Sequence, residues 1–272
     1  IILYSVSCQY PYLLSSSFLY QNACLYNAFK ILLSKKLIDI EYLWQVLQYD
    51  MKDFVQPEQV FEIYSILIGV VITKTLNGKN KYYDFGILDT HEIALYIKNN
   101  PKLFLDINLP CLIEKIDSSN PKNGEGLIYD GFCSHRTYGA ENKLTNAFSR
   151  AFNYFAQQNP KEYWAYTESY RNSKYESVLF FILKSLYFLP LNYSNKIIEY
   201  IIENPHLYQI GYASDAEYLT MKLIKKFTKK CSDVIFSKLI EHILNYKNEF
   251  EYNYFKKLKK RGKTDCCIIG HN

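Results

Sequence analysis

"LIEHIL" occupies residues 239–244 of the chain, and "IIEYII" occupies residues 197–202, 42 positions earlier. The two hexamers agree at every apolar position, Glu241 matches Glu199, and His242 takes the place of Tyr200. Apolar residues at these intervals are typical of one face of an amphipathic helix. Because this amphipathic pattern occurs twice, we predict a helical structural unit that is repeated.

A second pair of segments supports the repeat. "SKYESVLFFILKSL" at 173–186 aligns with "SDAEYLTMKLIKKF" at 214–227 at an offset of 41 residues, with matching serines and glutamates. A period of 40–47 residues is typical of HEAT- and armadillo-like helix pairs, which stack into a solenoid. We therefore predict an all-α, HEAT/armadillo-like solenoid; the alternative is chance similarity between amphipathic helices. Helices are expected near 141–158, 161–171, 174–189, 194–204, 214–229 and 232–247.

The helical part of the chain carries local signals for helix starts and for burial. Ser194, Ser214 and Ser232 stand where N-caps are expected, because serine side chains accept hydrogen bonds from the first turn of a helix. Asn159-Pro160 marks another helix boundary. The predicted helix 174–189 is apolar nearly all round, which places it in the interior.

The chain divides into three predicted regions. Residues 1–117 form a less regular helical part, residues 118–139 a Gly/Asn-rich loop or boundary, and residues 140–272 the repeats. Within the first region, helices are expected over 18–37, 40–54, 57–76, 91–100 and 110–117. Asp89-Thr90 offers the N-cap of the fourth, which should end before Pro101.

Composition favours helices and a folded chain. Of 272 residues 49% are hydrophobic, while Gly (10) and Pro (8) are few. The first residue is Ile1 and not Met, so a piece of a longer protein is expected. Seven cysteines without a C-x-x-C pair predict reduced thiols, a cytoplasmic location and no structural zinc. No apolar run is long enough for a membrane helix, so no membrane association is expected.

Catalytic and cofactor motifs are not found. "RGKT" at 261–264 ends like a phosphate-binding loop, but Lys257 stands where that motif needs glycine. Cys133 and His135 could form a nucleophile–base pair. Near-adjacent loop positions rarely point together, so an enzyme is the least favoured interpretation. We predict no catalytic, cofactor-binding or metal-binding residue.

Basic residues supply the candidate partner-binding positions. "KKLKKRGK" at 256–263 could contact phosphates or an acidic partner, although a solvated helix end is the plainer alternative. His135 and Arg136 in the glycine-rich loop are further candidates. The complete set is Lys256, Lys257, Lys259, Lys260, Arg261, Lys263, His135 and Arg136.

The order of sequence segments from about residue 127 onward resembles that of a known protein family. Six segments together resemble the helical-repeat region of large bacterial STAND/NACHT-like ATP-binding proteins: "LIYDGFCSHRTYG", "NKLTNAF", "SKYESVLFFILKSL", "IIEYIIENPHLYQIGYASDAEYLTMKLI", "CSDVIFSKLIEHILNYKNEFE" and "RGKTDCCIIG". Many of these are implicated in anti-phage defence. The resemblance implies that an effector and an ATPase precede the repeats, which sense or scaffold. This chain has no Walker A motif.

The sequence therefore leads to two functional hypotheses. The first is a recognition or scaffolding module of a larger ATP-binding signalling or defence protein, whose partner is another protein or another domain of the same parent chain. The second is a basic helical-repeat module that binds nucleic acid.

Overall fold

The computed structural model describes Ile31 and residues 57–76, 91–119, 140–210 and 219–246. Within these ranges every long regular element is an α-helix and no β-strand occurs, which confirms the all-α class. The helices are α1 Pro57–Leu76, α2 His91–Asn99, α3 Pro101–Ser119, α4 Ala140–Gln158, α5 Pro160–Tyr166, α6 Glu176–Leu186, α7 Ser194–Glu203, α8 Leu219–Phe227 and α9 Asp233–Asn245. Short 3-10 segments follow or precede them at Thr167–Ser169, Leu191–Tyr193, Pro205–Gln209 and Thr228–Lys230.

Most predicted helices are found, with ends that differ from the expected ones by a few residues. The prediction for residues 110–117 was wrong in extent, because α3 starts nine residues earlier and ends at Ser119. Proline has no N–H, but the first position of a helix needs none, so Pro101 begins α3. Pro110 lies inside α3 on its exposed side. The helices expected over 18–37 and 40–54 lie outside the described residues, apart from Ile31.

The predicted helix caps have mixed outcomes. Asn159 is an N-cap whose Oδ1 accepts a hydrogen bond from the Glu162 N–H at 3.4 Å, while its side-chain amide donates to the Glu162 carboxylate at 2.7 Å. Ser232 occupies the cap position of α9 without a side-chain cap bond. Ser194 is not a cap; it is the first residue of α7, and its hydroxyl donates to the Leu191 carbonyl at 2.6 Å. Ser214 lies outside the described residues.

The first compact unit comprises Ile1–Leu189 and Ile210–Leu219. In it α1 packs on α3, α3 on α4, and α4 on α2, α5 and α6. A chain of phenylalanine rings connects these layers: Phe61 contacts Phe104 at 5.2 Å, Phe104 contacts Phe148 at 5.3 Å, and Phe148 stacks on Phe181 at 5.5 Å between ring centroids. All four rings are fully buried, so aromatic packing forms the centre of this unit.

Helix α6 is the interior helix that its sequence predicted. Eight of its eleven residues are buried. Two of the buried residues, Ser177 and Ser185, are polar. Ser185 is hydrogen-bonded: the Tyr163 hydroxyl and Ser185 Oγ are 2.5 Å apart, and Ser185 also donates to the Phe181 carbonyl at 2.8 Å. Because a buried hydroxyl without a partner is costly, this pairing lets α6 be surrounded on almost every side.

The second compact unit comprises Pro190–Gln209 and Thr220–Asn272. Helix α7 packs against α9 and against the segment Thr228–Lys230. The side-chain oxygen of Asn195 accepts a hydrogen bond from the Ser232 N–H at 2.9 Å and fixes the start of α9. The two helices that carry the repeated hexamer are therefore in direct contact. A full solenoid, and the three-part division at 117 and 139, stay predictions.

Candidate interaction surfaces

The predicted partner-binding residues are not among those the structure describes. The whole basic run at 256–263 and the loop residues His135 and Arg136 fall outside the described ranges. Of the predicted loop 118–139, only the first two residues are described, and they belong to the last turn of α3. Two surfaces of the second compact unit emerge in their place, one apolar and one basic.

The apolar surface is a stripe along α9 formed by Phe236, Ile240, Ile243 and Leu244, which we call the α9 stripe. Their exposed fractions are 43%, 42%, 41% and 78%. The spacing of three, four and seven residues aligns these side chains on one side of the helix. On the neighbouring side, Ile235 and Leu239 are buried. The apolar arc of α9 is thus wider than the part of it that the unit covers.

The size of the α9 stripe limits what can cover it. Its exposed fractions correspond to an apolar area on the order of 350 Å², similar to the largest apolar patch on many monomers. A standard protein–protein interface buries about 800 Å² on each partner. The stripe alone is therefore too small for a stable dimer of globular units but matches the footprint of one additional helix.

The basic surface is formed by α8 and the segment Thr228–Lys230, and we call it the α8 lysine face. Its members recur every three or four residues, which places them on one side of the helix. They are Lys222, Lys225, Lys226, Lys229 and Lys230. No Asp or Glu occurs from 219 to 232.

The opposite side of α8 anchors it. Leu223 and Phe227 are buried, with 1% and 0% exposure, as is Thr220. Lys225, Lys229 and Lys230 are exposed, whereas Lys226 is half-buried, with its Nζ 4.9 Å from the Phe227 ring centroid, and burial lowers the pKa of Lys226. The helix thus separates charge from apolar surface almost completely. This face was not predicted from the sequence, although the lysine spacing alone indicates it.

Three rings of the second unit, those of Tyr208, His242 and Tyr246, form a cluster. The His242 ring lies nearly parallel to Tyr208, with centroids 5.7 Å apart, and Tyr246 contacts Tyr208 at 4.7 Å. The Tyr208 hydroxyl and His242 Nε2 are buried and find no hydrogen-bond partner in the described part of the chain. Burial, with a smaller effect of Tyr246, raises the pKa of Tyr208 to about 12. The three rings of Tyr208, His242 and Tyr246 therefore pack against one another at this position.

Two cysteines, Cys111 and Cys231, lie in the described residues. Cys111 and Cys231 are unpaired, and burial raises the pKa of both thiols, which disfavours the reactive thiolate. The Cys111 thiol donates instead to the Ser65 carbonyl at 3.3 Å. No three His, Cys, Asp or Glu side chains come together as a metal-binding group in the described ranges.

Among the described helices, none combines the length and the apolar character that crossing a membrane requires. Comparisons with protein families, curated proteins and solved structures found no match to this chain.

Proposed function

We propose that the chain is a helical recognition or scaffolding module, and that the α9 stripe receives a single amphipathic helix of a protein partner. The observation that carries the proposal is the exposure of Phe236, Ile240, Ile243 and Leu244 on one side of α9. An apolar ridge of this spacing is the counterpart of a helix with apolar anchors at i, i+3, i+4 and i+7. Its area fits one helix better than a second copy of the chain.

The parent of the module is proposed to be a larger ATP-binding signalling or defence protein with stacked helix pairs. Support comes from the resemblance of residues 127–272 to the repeats of such proteins, and from the direct contact of α7 with α9. In that setting the helix on the α9 stripe belongs to the next pair of the parent or to the molecule that it recognises. Upstream coding sequence that contains no phosphate-binding motif would count against this parent.

Selection from a phage-displayed library of helical peptides tests the surface. The wild-type chain is the bait, and the selected peptides are then measured by fluorescence anisotropy. We expect sequences with apolar residues at helical intervals, whose affinity falls at least tenfold on the variant Ile240→Glu/Ile243→Glu. A loss of this size corresponds to about 1.4 kcal/mol, which is typical of removing an interface anchor.

Val234→Glu is the matched control. Val234 is 67% exposed on the same helix but lies away from the α9 stripe, so peptide affinity should be retained. Equal binding to wild type and to the double variant would refute the proposal. Concentration-dependent dimers that the double variant abolishes would instead assign the stripe to a second copy.

A further inference from the structure

A second surface of this molecule points to a ligand of another kind. We infer that the α8 lysine face binds the phosphate backbone of a nucleic-acid duplex without reading its sequence. This inference goes beyond the proposed recognition of a helix and does not depend on it, because it is carried by a different helix.

Charge density is the first argument. With a rise of about 1.5 Å per α-helical residue and about 2.0 Å per 3-10 residue, the five lysines span roughly 13 Å. That gives one positive charge per roughly 3 Å of axis, close to the 3.4 Å between successive phosphates along one strand of B-DNA. The absence of acidic residues from 219 to 232 means that the segment supplies no negative charge of its own.

The separation of charge from apolar surface is the second argument, and it distinguishes a duplex from a membrane. A helix that lies in a lipid interface inserts apolar side chains next to its basic ones. On α8 the apolar anchors Leu223 and Phe227 are buried within the protein. Only Met221 is an exposed apolar side chain on this helix. The α8 lysine face therefore offers five charges beside a single exposed apolar side chain, which is less apolar surface than a helix in a lipid interface inserts.

The lack of aromatic rings on this face is the third argument, and it favours double strands over single strands. Proteins that bind single strands stack bases on exposed aromatic side chains. The one ring of α8, Phe227, is fully buried. Lysine contacts to phosphate position a protein on a duplex and carry no sequence information, so binding should be insensitive to base composition.

A purely structural role, the interaction of lysines with the end of the helix, explains only part of this face. Lysines in the last turn of a helix interact favourably with its negative end. This effect accounts for Lys225 and Lys226, which lie in the last turn of α8. Because the effect falls off within one turn, it does not explain Lys222. Lys222 is half-buried like Lys226, so the test uses the three exposed lysines, Lys225, Lys229 and Lys230. The readout separates the two explanations, because an interaction with the helix end inside the protein does not change the salt dependence of duplex binding.

Salt-dependent binding of a fluorescent 20-base-pair DNA duplex, measured by anisotropy, tests the inference. The test variant is Lys225→Gln/Lys229→Gln/Lys230→Gln, in which three exposed lysines are neutralised. Each lost phosphate contact lowers the slope of log affinity against log salt by about 0.9. The slope should therefore fall by about 2 to 3, with weaker binding to all duplex sequences alike.

The matched control removes the same charge elsewhere on the surface. Lys98→Gln/Lys161→Gln/Lys238→Gln neutralises three exposed lysines of other helices and should leave the slope within about one unit of wild type. Both variants keep the basic run at 256–263. If that run alone carried binding, the α8 variant would keep the wild-type slope and the inference would be overturned.

Two other outcomes would also overturn it. One is the failure of the wild-type chain to bind the duplex at about 50 mM salt, where backbone contacts are strong. The other is retention on phosphatidylserine-containing vesicles in preference to the duplex, lost in the α8 variant. Far-UV circular dichroism and the thermal midpoint of each variant establish that the fold is intact.

Discussion

Helices α7 and α9 carry the same hexamer and are buried to different extents. In α7, Ile198 and Ile201 are fully buried, whereas the matching residues of α9, Ile240 and Ile243, are 42% and 41% exposed. Glu199 and Glu241 are exposed in both. The same local pattern thus produces the same helix, and only the surroundings decide how much of its apolar arc is used.

The largest expected effect comes from placing a charge in the two equivalent positions. Ile201→Asp buries a carboxylate that has no partner and should cost about 4 kcal/mol or more of unfolding free energy. Ile243→Asp leaves the carboxylate in water and should cost less than about 1 kcal/mol. Urea denaturation followed by circular dichroism measures both. Equal losses would show that the α9 stripe is covered in solution.

Truncation of the side chain should give a smaller difference of the same sign. Ile198→Ala removes fully buried methyl groups and should destabilise by about 2–4 kcal/mol, because a cavity remains. For Ile240→Ala we expect roughly 1 kcal/mol at most, since its neighbours on one side are solvent. The two variants are compared by their urea midpoints under identical conditions. A larger loss for Ile240→Ala would contradict the assignment of buried and exposed faces.

The residue that differs between the hexamers offers a gain of stability. His242 Nε2 is buried without a hydrogen-bond partner in the described part of the chain. His242→Phe keeps a ring against Tyr208 and removes the unsatisfied nitrogen, so unfolding free energy should rise by about 1 kcal/mol. Glu241→Gln, one position earlier and exposed, is the control and should have little effect. Destabilisation by His242→Phe would mean that the nitrogen has a partner in solution.

The smallest effect concerns pH and the segment that follows α7. Burial lowers the pKa of His206 below its ordinary value of 6.5. The unfolded chain then binds a proton that the folded chain does not, so stability falls as pH drops through about 6.5. His206→Asn should flatten this part of the stability–pH curve, measured as thermal midpoint between pH 5 and 8. An unchanged curve would assign the pH dependence to other groups.

The sequence predicted the elements of this fold better than their surroundings. Periodicity and Pro or Ser punctuation located α1, α4, α6, α7 and α9 to within a few residues, because these signals act over one or two turns. The extent of α3 was misjudged because Pro101 can open a helix as well as end one. The exposure of Ile240 and Ile243 was not predictable, since burial depends on residues distant in the chain.

The two candidate surfaces also differ in how far local sequence predicts them. The α8 lysine face was predictable in principle, because the spacing of its five lysines places them on one side of a helix. The α9 stripe was not, because the hexamer that forms it is buried when it occurs in α7. A repeated apolar pattern predicts that each copy forms a helix with an apolar face. It does not predict which of the two faces is buried and which stays exposed.

The aromatic chain of the first unit has a consequence for synthesis on the ribosome. Its rings come from Phe61, Phe104, Phe148 and Phe181, so its last member is made 120 residues after its first. At about 5–20 residues per second, Phe148 waits roughly 2–7 s for the ring that stacks on it. Until then its apolar face is open to water and to other nascent chains. Chaperone binding to stalled chains should therefore drop once α6 has left the exit tunnel.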